Sequence, residues 1–250
     1  MSCEVSSGYH GVAVVERIYI KQLLAGRDFA RPDPFATQMV NFVYLLGDRQ
    51  TRECLIVDPA WDVVGIVAAA SADDMTVTGV LATHYHPDHI GGDLFGHVVE
   101  GLAELKDQID VPVHVHRAEA EGVRVMTGLS TADLVLHDGD DVVMAGEVPI
   151  RMLHTPGHTP GSQCFLVGDE ALVSGDTLFV QGCGRVDLPG GDSDEMYRTL
   201  TQRLATLRDE IVLFPGHDYG GAPTATLADL RRTHAYLTVD SLEAWRRLMG

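Results

Sequence analysis

The sequence predicts a mixed α/β fold in which two β-sheets are covered by helices. Apolar or alternating runs of strand length recur along the chain and, after the first three, alternate with segments of helical spacing. Each half also runs from strands into helix, the order that two helix-covered sheets produce.

Strands are expected at about 12–20, 38–47 and 53–58, the last two joined by the polar turn Asp48-Arg49-Gln50-Thr51, a hairpin signal. Residues 63–70 read as a short helix and 77–82 as a buried strand. Residues 92–107 read as a helix because Leu94, Val98, Leu102 and Leu105 recur at helical spacing. Further strands are expected at 112–116, 141–145, 148–154, 163–167, 171–175 and 211–214. A helix over 193–208 has a start signal in the capping-box spacing of Asp192 and Glu195, and one apolar face formed by Met196, Leu200, Leu204 and Leu207. Residues 224–249 read as helical. With no low-complexity linker and no short-period repeat, residues 1–250 read as one domain, long enough to bury a core without disulfide staples.

Composition narrows the function classes. Hydrophobic residues make up 45% and charged residues 22%, an ordinary balance for a globular chain and too apolar for a disordered one. The formal net charge is −18, from 36 acidic and 18 basic residues, and the lysines are Lys21 and Lys106. A nucleic-acid surface needs clustered cations, whereas Arg231-Arg232 and Arg246-Arg247 fall on expected amphipathic helices, so no nucleic-acid partner is expected. The opening MSCEVSSGYHG lacks a basic stretch followed by a long apolar one, and no run approaches the ~20 apolar residues of a membrane span. A cytoplasmic protein without a membrane partner is the expectation. Cys3, Cys54, Cys164 and Cys183 are dispersed without C-x-x-C spacing, so any metal must rely on imidazole and carboxylate.

Such groups are concentrated. Four polar clusters each follow an apolar strand-like run: His84-Tyr85-His86-Pro87-Asp88-His89, His158, Asp176 and His217. Strand ends held by a buried sheet give a rigid site at low ordering cost. His84 and His86, two apart, can point the same way from an extended turn, with Asp88 and His89 one step further round, so one loop can feed two adjacent ions. Imidazole and carboxylate suit zinc, iron and manganese. His114-Val115-His116 lies in a strand-like run with no Asp-His following and reads as packing, as do His10, His97, His137, His154 and His234.

The stretches HYHPDHIGG, TPGHTPGS, SGDTLF and PGHDYG resemble, in order and spacing over roughly 41–219, the ligand motifs of the metallo-β-lactamase superfamily; NFVYLL and LIVDPA resemble its opening strands. The resemblance implies an αββα sandwich of two mixed sheets flanked by helices, with the site along one edge. It implies that His84, His86 and His158 hold one divalent ion, that Asp88, His89 and His217 hold a second, and that Asp176 bridges them. The ions would be zinc, with iron or manganese as alternatives. Asp88 would also act catalytically by orienting the attacking water.

Gly182-Cys183-Gly184-Arg185 is similar to a stretch found in the glyoxalase II thioesterases and the persulfide dioxygenases. Arg185 and Tyr219 are the candidate substrate-binding residues, Arg185 because guanidinium pairs with an anionic substrate. Glyoxalase II follows this stretch with two Phe and adds a helical domain beyond the last ligand; here Val186-Asp187 follows and 33 residues remain after His217. Two enzyme readings result. One is a hydrolase in which metal-activated water attacks a thioester or related small acyl compound, such as a glutathione conjugate. The other is a mononuclear iron persulfide dioxygenase using His84, His158 and Asp176. A non-enzymatic metal-binding protein is a third, weaker option, because a structural zinc site needs about four ligands. Oligomeric state is not legible.

Overall fold

The computed structural model describes residues 16–249, so the part of the first expected strand before residue 16 lies outside the described residues. Strand β1 (Ile18–Leu24) pairs antiparallel with β2 (Phe42–Asp48), which pairs antiparallel with β3 (Glu53–Val57). Parallel pairing then adds β4 (Thr76–Leu81), β7 (Val113–His116) and β8 (Leu134–His137), giving a six-stranded sheet in the order β1-β2-β3-β4-β7-β8. The second sheet has the order β14-β13-β12-β11-β10-β9, built from β9 (Val142–Ala145), β10 (Val148–His154), β11 (Gln163–Val167), β12 (Ala171–Gly175), β13 (Val212–Pro215) and β14 (Ala225–Thr226). Its pairs are antiparallel except β12–β13. Both sheets are mixed, as expected.

The alternation of side chains along each strand explains why the runs are apolar throughout. In β2, Phe42, Tyr44 and Leu46 enter the core between the sheets, while Val43 and Leu45 enter the core beneath the outer helices. In β11, Phe165 and Val167 face the first sheet, and Cys164 and Leu166 face the helices on the other side. The outer helices are α1 (Pro34–Met39), α2 (Val63–Ser71), α3 (Pro87–Ile90), α4 (Leu102–Gln108) and α5 (Ala120–Thr127) along the first sheet's part of the chain, then α6 (Ser193–Arg198), α7 (Leu227–Thr233) and α8 (Leu242–Met249).

Three expectations fail for local reasons. Residues 92–107 are a hairpin, β5 (Gly92–Leu94) and β6 (His97–Val99), followed by α4. Leu94, Val98, Leu102 and Leu105 mimic a helical face, but Phe95 (φ 54°) and Gly96 (φ 87°) both take left-handed conformations, as a tight hairpin turn requires. The 193–208 segment starts with Asp192 accepting from the Glu195 N–H at 2.9 Å, then leaves α-helical winding at Thr199, whose hydroxyl donates to the Pro156 carbonyl at 2.7 Å. Glu195 pairs with Arg198, so only half of the expected capping box forms. The 224–249 segment opens with the edge strand β14 and then holds two separate helices, α7 and α8, in place of one.

Asp48 closes the β2 end against the turn between β9 and β10. Its buried carboxylate accepts from Arg17, from the Gln50 N–H at 2.8 Å and from the Glu147 N–H at 3.0 Å. Burial opposes its charge, yet Arg17 and the two N–H groups hold the carboxyl down to about 2. A depressed carboxyl stabilises the fold above its ordinary range and loses that contribution as pH falls through the folded value. Asp48 should therefore contribute a loss of about 2 kcal/mol of unfolding free energy between pH 4 and pH 2, measured by urea titration, and Asp48→Asn should shrink the wild-type drop over that interval by this amount.

Candidate metal centre

Strands β3 and β4 run in parallel, as do β12 and β13, so their carboxyl ends emerge along one edge of the sandwich. The following loops carry Asp58 after β3, Thr83 to His89 after β4, His158 after β10, Asp176 after β12 and His217 after β13. Pro87 opens α3 directly after His86, and its fixed φ turns Asp88 and His89 back toward the strand ends. Gly175 lies at φ 48°, where a Cβ would meet the Thr83 Cβ at 2.7 Å, so the closest approach of the two halves requires glycine.

The histidine tautomers follow from the outer hydrogen bonds. His158 Nδ1 donates to the Arg185 carbonyl at 2.7 Å, and His217 Nδ1 donates to the Met39 carbonyl at 2.8 Å. His89 Nδ1 donates to Asp58 Oδ2 at 2.9 Å. The Thr83 hydroxyl donates to Asp58 Oδ2 at 2.6 Å, so it accepts from His84 Nδ1 at 2.9 Å. These acceptors leave the Nε2 lone pairs of all four imidazoles facing inward. His86 is reversed: its Nδ1 lies 3.1 Å from His84 Nε2 and 3.0 Å from His158 Nε2.

Two groups of donor atoms result. The first is His84 Nε2, His86 Nδ1 and His158 Nε2. In the second, His89 Nε2 lies 3.2 Å from His217 Nε2, and each of these lies 3.4 Å from Asp88 Oδ2. Asp176 spans the two, with Oδ1 at 3.3 Å from both His89 Nε2 and His217 Nε2 and Oδ2 at 3.6 Å from His158 Nε2. Asp176 Oδ1 is buried without a hydrogen-bond partner, a cost that a cation removes. Burial and the neighbouring imidazoles push His84 well below its ordinary range and His86 down to about 4. Burial also opposes charge on His89 and His217, but Asp88 and Asp176 outweigh it and hold both above theirs. For Asp88, the desolvation cost is exceeded by His89, His217 and the Asn41 amide, and its carboxyl stays below the usual range. Asp88 and Asp176 thus hold protons on His89 and His217 that an ion at the second group must displace, whereas His84 and His86 already favour the neutral form that a divalent ion needs.

All seven residues expected as ligands come together here, and each of the seven is buried or nearly so. Tyr219 reaches the rim, stacked on His217 with ring centroids 4.6 Å apart and planes 6° from parallel. Arg185 is exposed and its fork is engaged by Asp187, at 2.9 and 2.8 Å. Its carbonyl, through His158, is what touches the centre. Cys183 packs against the outer core, and burial pushes its thiol up to about 12. His114 and His137 hydrogen-bond each other at 3.0 Å, and His116 stacks on His154, away from the seven-residue cluster.

Sequence reasoning missed three supporting residues. Asp58 holds His89 and Thr83; its one signal is an acidic residue ending the LIV run before Pro59. Asn41 donates to Asp88 Oδ2 at 3.0 Å and ends no recognisable motif. Glu119, fully buried, accepts from the Tyr85 N–H at 2.9 Å and the Gly161 N–H at 2.6 Å, tying the His84–His86 loop to the His158 loop. Nothing in RAEAEG distinguishes it from the exposed Glu121 two residues on. Glu119→Gln turns one acceptor into a donor facing an N–H group and should cost about 1–3 kcal/mol of stability in chemical denaturation.

A family model described as the metallo-beta-lactamase superfamily matches residues 36–217. The chain belongs to the metallo-beta-lactamase superfamily. It is 28% identical over 204 residues to a probable polyketide biosynthesis zinc-dependent hydrolase, BaeB, of Bacillus velezensis, covering 81% of this chain and 84% of that one. It is 29% identical to human mitochondrial persulfide dioxygenase ETHE1, covering 84% of this chain and 76% of that one. It is 33% identical to the hydroxyacylglutathione hydrolase of Yersinia pestis, covering 80% and 68%. Among solved structures, ETHE1 from Myxococcus xanthus superposes with a TM-score of 0.75 at 29% identity, covering 92% of this chain and 89% of that one. The family therefore supplies both hydrolases and dioxygenases, and the chain carries its metal-binding His/Asp cluster. No helix among the described residues is long and apolar enough to cross a membrane.

Proposed function

We propose that the protein is a dinuclear metal-dependent hydrolase acting on a thioester or related small acyl compound, including glutathione conjugates. The observation that carries the reading is Asp176, which offers one oxygen to each group of donors and has no hydrogen-bond partner for Oδ1. His84, His86 and His158 would hold one ion and Asp88, His89 and His217 the other. Bound divalent ions supply Lewis acidity toward the acyl carbonyl and lower the pKa of water toward neutrality. Zinc suits this donor set, and iron or manganese are the alternatives. Asp88 aligns the attacking water by accepting its hydrogen bond. Tyr219, stacked on His217, would offer a hydroxyl and an aromatic edge to substrate, and Arg185, whose carbonyl accepts from His158, would offer charge once Asp187 yields it. The Cys183 thiol, raised by burial, supports water rather than cysteine as nucleophile.

The persulfide dioxygenase reading is supported by the similarity to ETHE1, which extends over nearly all of both chains in the Myxococcus structure, and by Arg185-x-Asp187 and the short segment after His217. It would use His84, His158 and Asp176 on one iron. Purified protein assayed in parallel for thioester hydrolysis and for oxygen uptake with glutathione persulfide separates the two. Hydrolysis without oxygen consumption is expected; one iron per chain with persulfide-dependent oxygen uptake defeats the hydrolase.

A further inference from the structure

We infer that Asn41, locked by Trp61, is a positioning residue that weakens the second cation site relative to the first, so that the two ions bind with unequal affinity. The Trp61 indole N–H donates to Asn41 Oδ1 at 3.1 Å. An indole has no acceptor, so this bond fixes which end of the amide faces inward. The NH2 end is left pointing at the second group: Asn41 Nδ2 lies 3.0 Å from Asp88 Oδ2, 3.4 Å from His89 Nε2 and 3.5 Å from His217 Nε2.

Its hydrogens therefore face the three atoms that would hold the second ion. An amide NH2 carries partial positive charge and no lone pair able to ligate, so it satisfies Asp88 at the cation's expense. Among the described residues the first group has no such competitor: the outer nitrogens of His84 and His158 are tied to Thr83 and to the Arg185 carbonyl, which turns both Nε2 atoms inward, and the third member, His86 Nδ1, is a ring nitrogen that can give up its proton to ligate, as an amide NH2 cannot. Asn41 is 1% exposed and Trp61 5%, so water does not screen this difference. The backbone of Asn41 is pinned as well, bridging to His217 and accepting from the Ala25 N–H at 2.9 Å, so the amide cannot swing clear.

The inference rests on the metal-centre reading and is separable from it. Full-length protein loaded with zinc would be dialysed against graded chelator, and the zinc retained per chain counted by elemental analysis. Wild type should lose its two ions in two well-separated steps. Trp61→Phe keeps an aromatic ring but frees the amide to turn its oxygen inward. Asn41→Asp replaces the NH2 with an oxygen while Trp61 can still donate. Each variant should raise retention of the weaker ion on the order of tenfold and leave the tighter one unmoved. Loss of both ions in one step from wild type, or equal shifts of both steps in the variants, overturns the inference while leaving a dinuclear hydrolase standing. Protein that binds no zinc at all overturns the metal-centre reading. Trp61→Phe keeps the test decisive should the added carboxylate of Asn41→Asp prevent folding.

Discussion

Asp176→Ala is expected to reduce turnover by about 10³-fold or more while leaving a folded chain. Several kcal/mol of charge stabilisation are at stake in a metal-assisted step, and each 1.4 kcal/mol or so is a factor of ten. The folding consequence separates this residue from ordinary core positions. Asp176 Oδ1 makes no hydrogen bond among the described residues, so removing the carboxylate deletes an unsatisfied buried group along with the proposed ligand. Ligand linkage then gives a signature in thermal melts: chelator should lower the melting temperature of wild type and leave that of Asp176→Ala nearly unmoved. A wild-type melt indifferent to chelator, or an Asp176→Ala chain that cannot fold, would show that the carboxylate serves structure.

Asp58→Ala should produce the largest loss of stability of any single change at this edge. Its carboxylate accepts from the Thr83 N–H at 2.7 Å, the Thr83 hydroxyl at 2.6 Å and His89 Nδ1 at 2.9 Å, all in a buried setting. Deleting it strands three donors and frees His89 to rotate. A cost of about 3–5 kcal/mol follows from breaking a buried, multiply bonded charge, read from urea midpoints at constant slope. Metal affinity should fall by roughly 10–100-fold, because the ring that Asp58 orients loses its fixed tautomer. Asp58→Asn retains one oxygen and should fall between wild type and Asp58→Ala in both measurements. A variant with normal metal retention would remove Asp58 from the account of the site.

These residues also mark where sequence reading reached its limit. The residues expected as ligands were legible because each follows an apolar run, and a strand end is a place where a polar residue is both buried and aimed. The cluster HYHPDH adds Pro87, which turns the chain so that four donors leave one short loop. Asn41 and Glu119 carry no such signature; their work depends on what lies across the sheets, at Trp61 and Asp88 for one and at Tyr85 and Gly161 for the other. Among elements, the buried strands of both sheets were readable from continuous Val, Leu and Ile, whereas β8 (Leu134–His137) offers four residues and α1 buries only Ala36. Helix α5 was hidden by Gly122 and by β-branched Val123 and Val125, and forms because Val123 packs into the core below. The hairpin at 92–99 imitated a helix until the left-handed pair Phe95-Gly96 was seen.

The most direct test of the metal centre is anomalous X-ray scattering from crystals of the full-length protein, collected at the zinc, iron and manganese edges. The account predicts one strong peak bounded by His84, His86 and His158 and a second, weaker one bounded by Asp88, His89 and His217, with Asp176 between them. Peaks confined to another cluster, such as His114 and His137, or no peak at any edge in active protein, would contradict it.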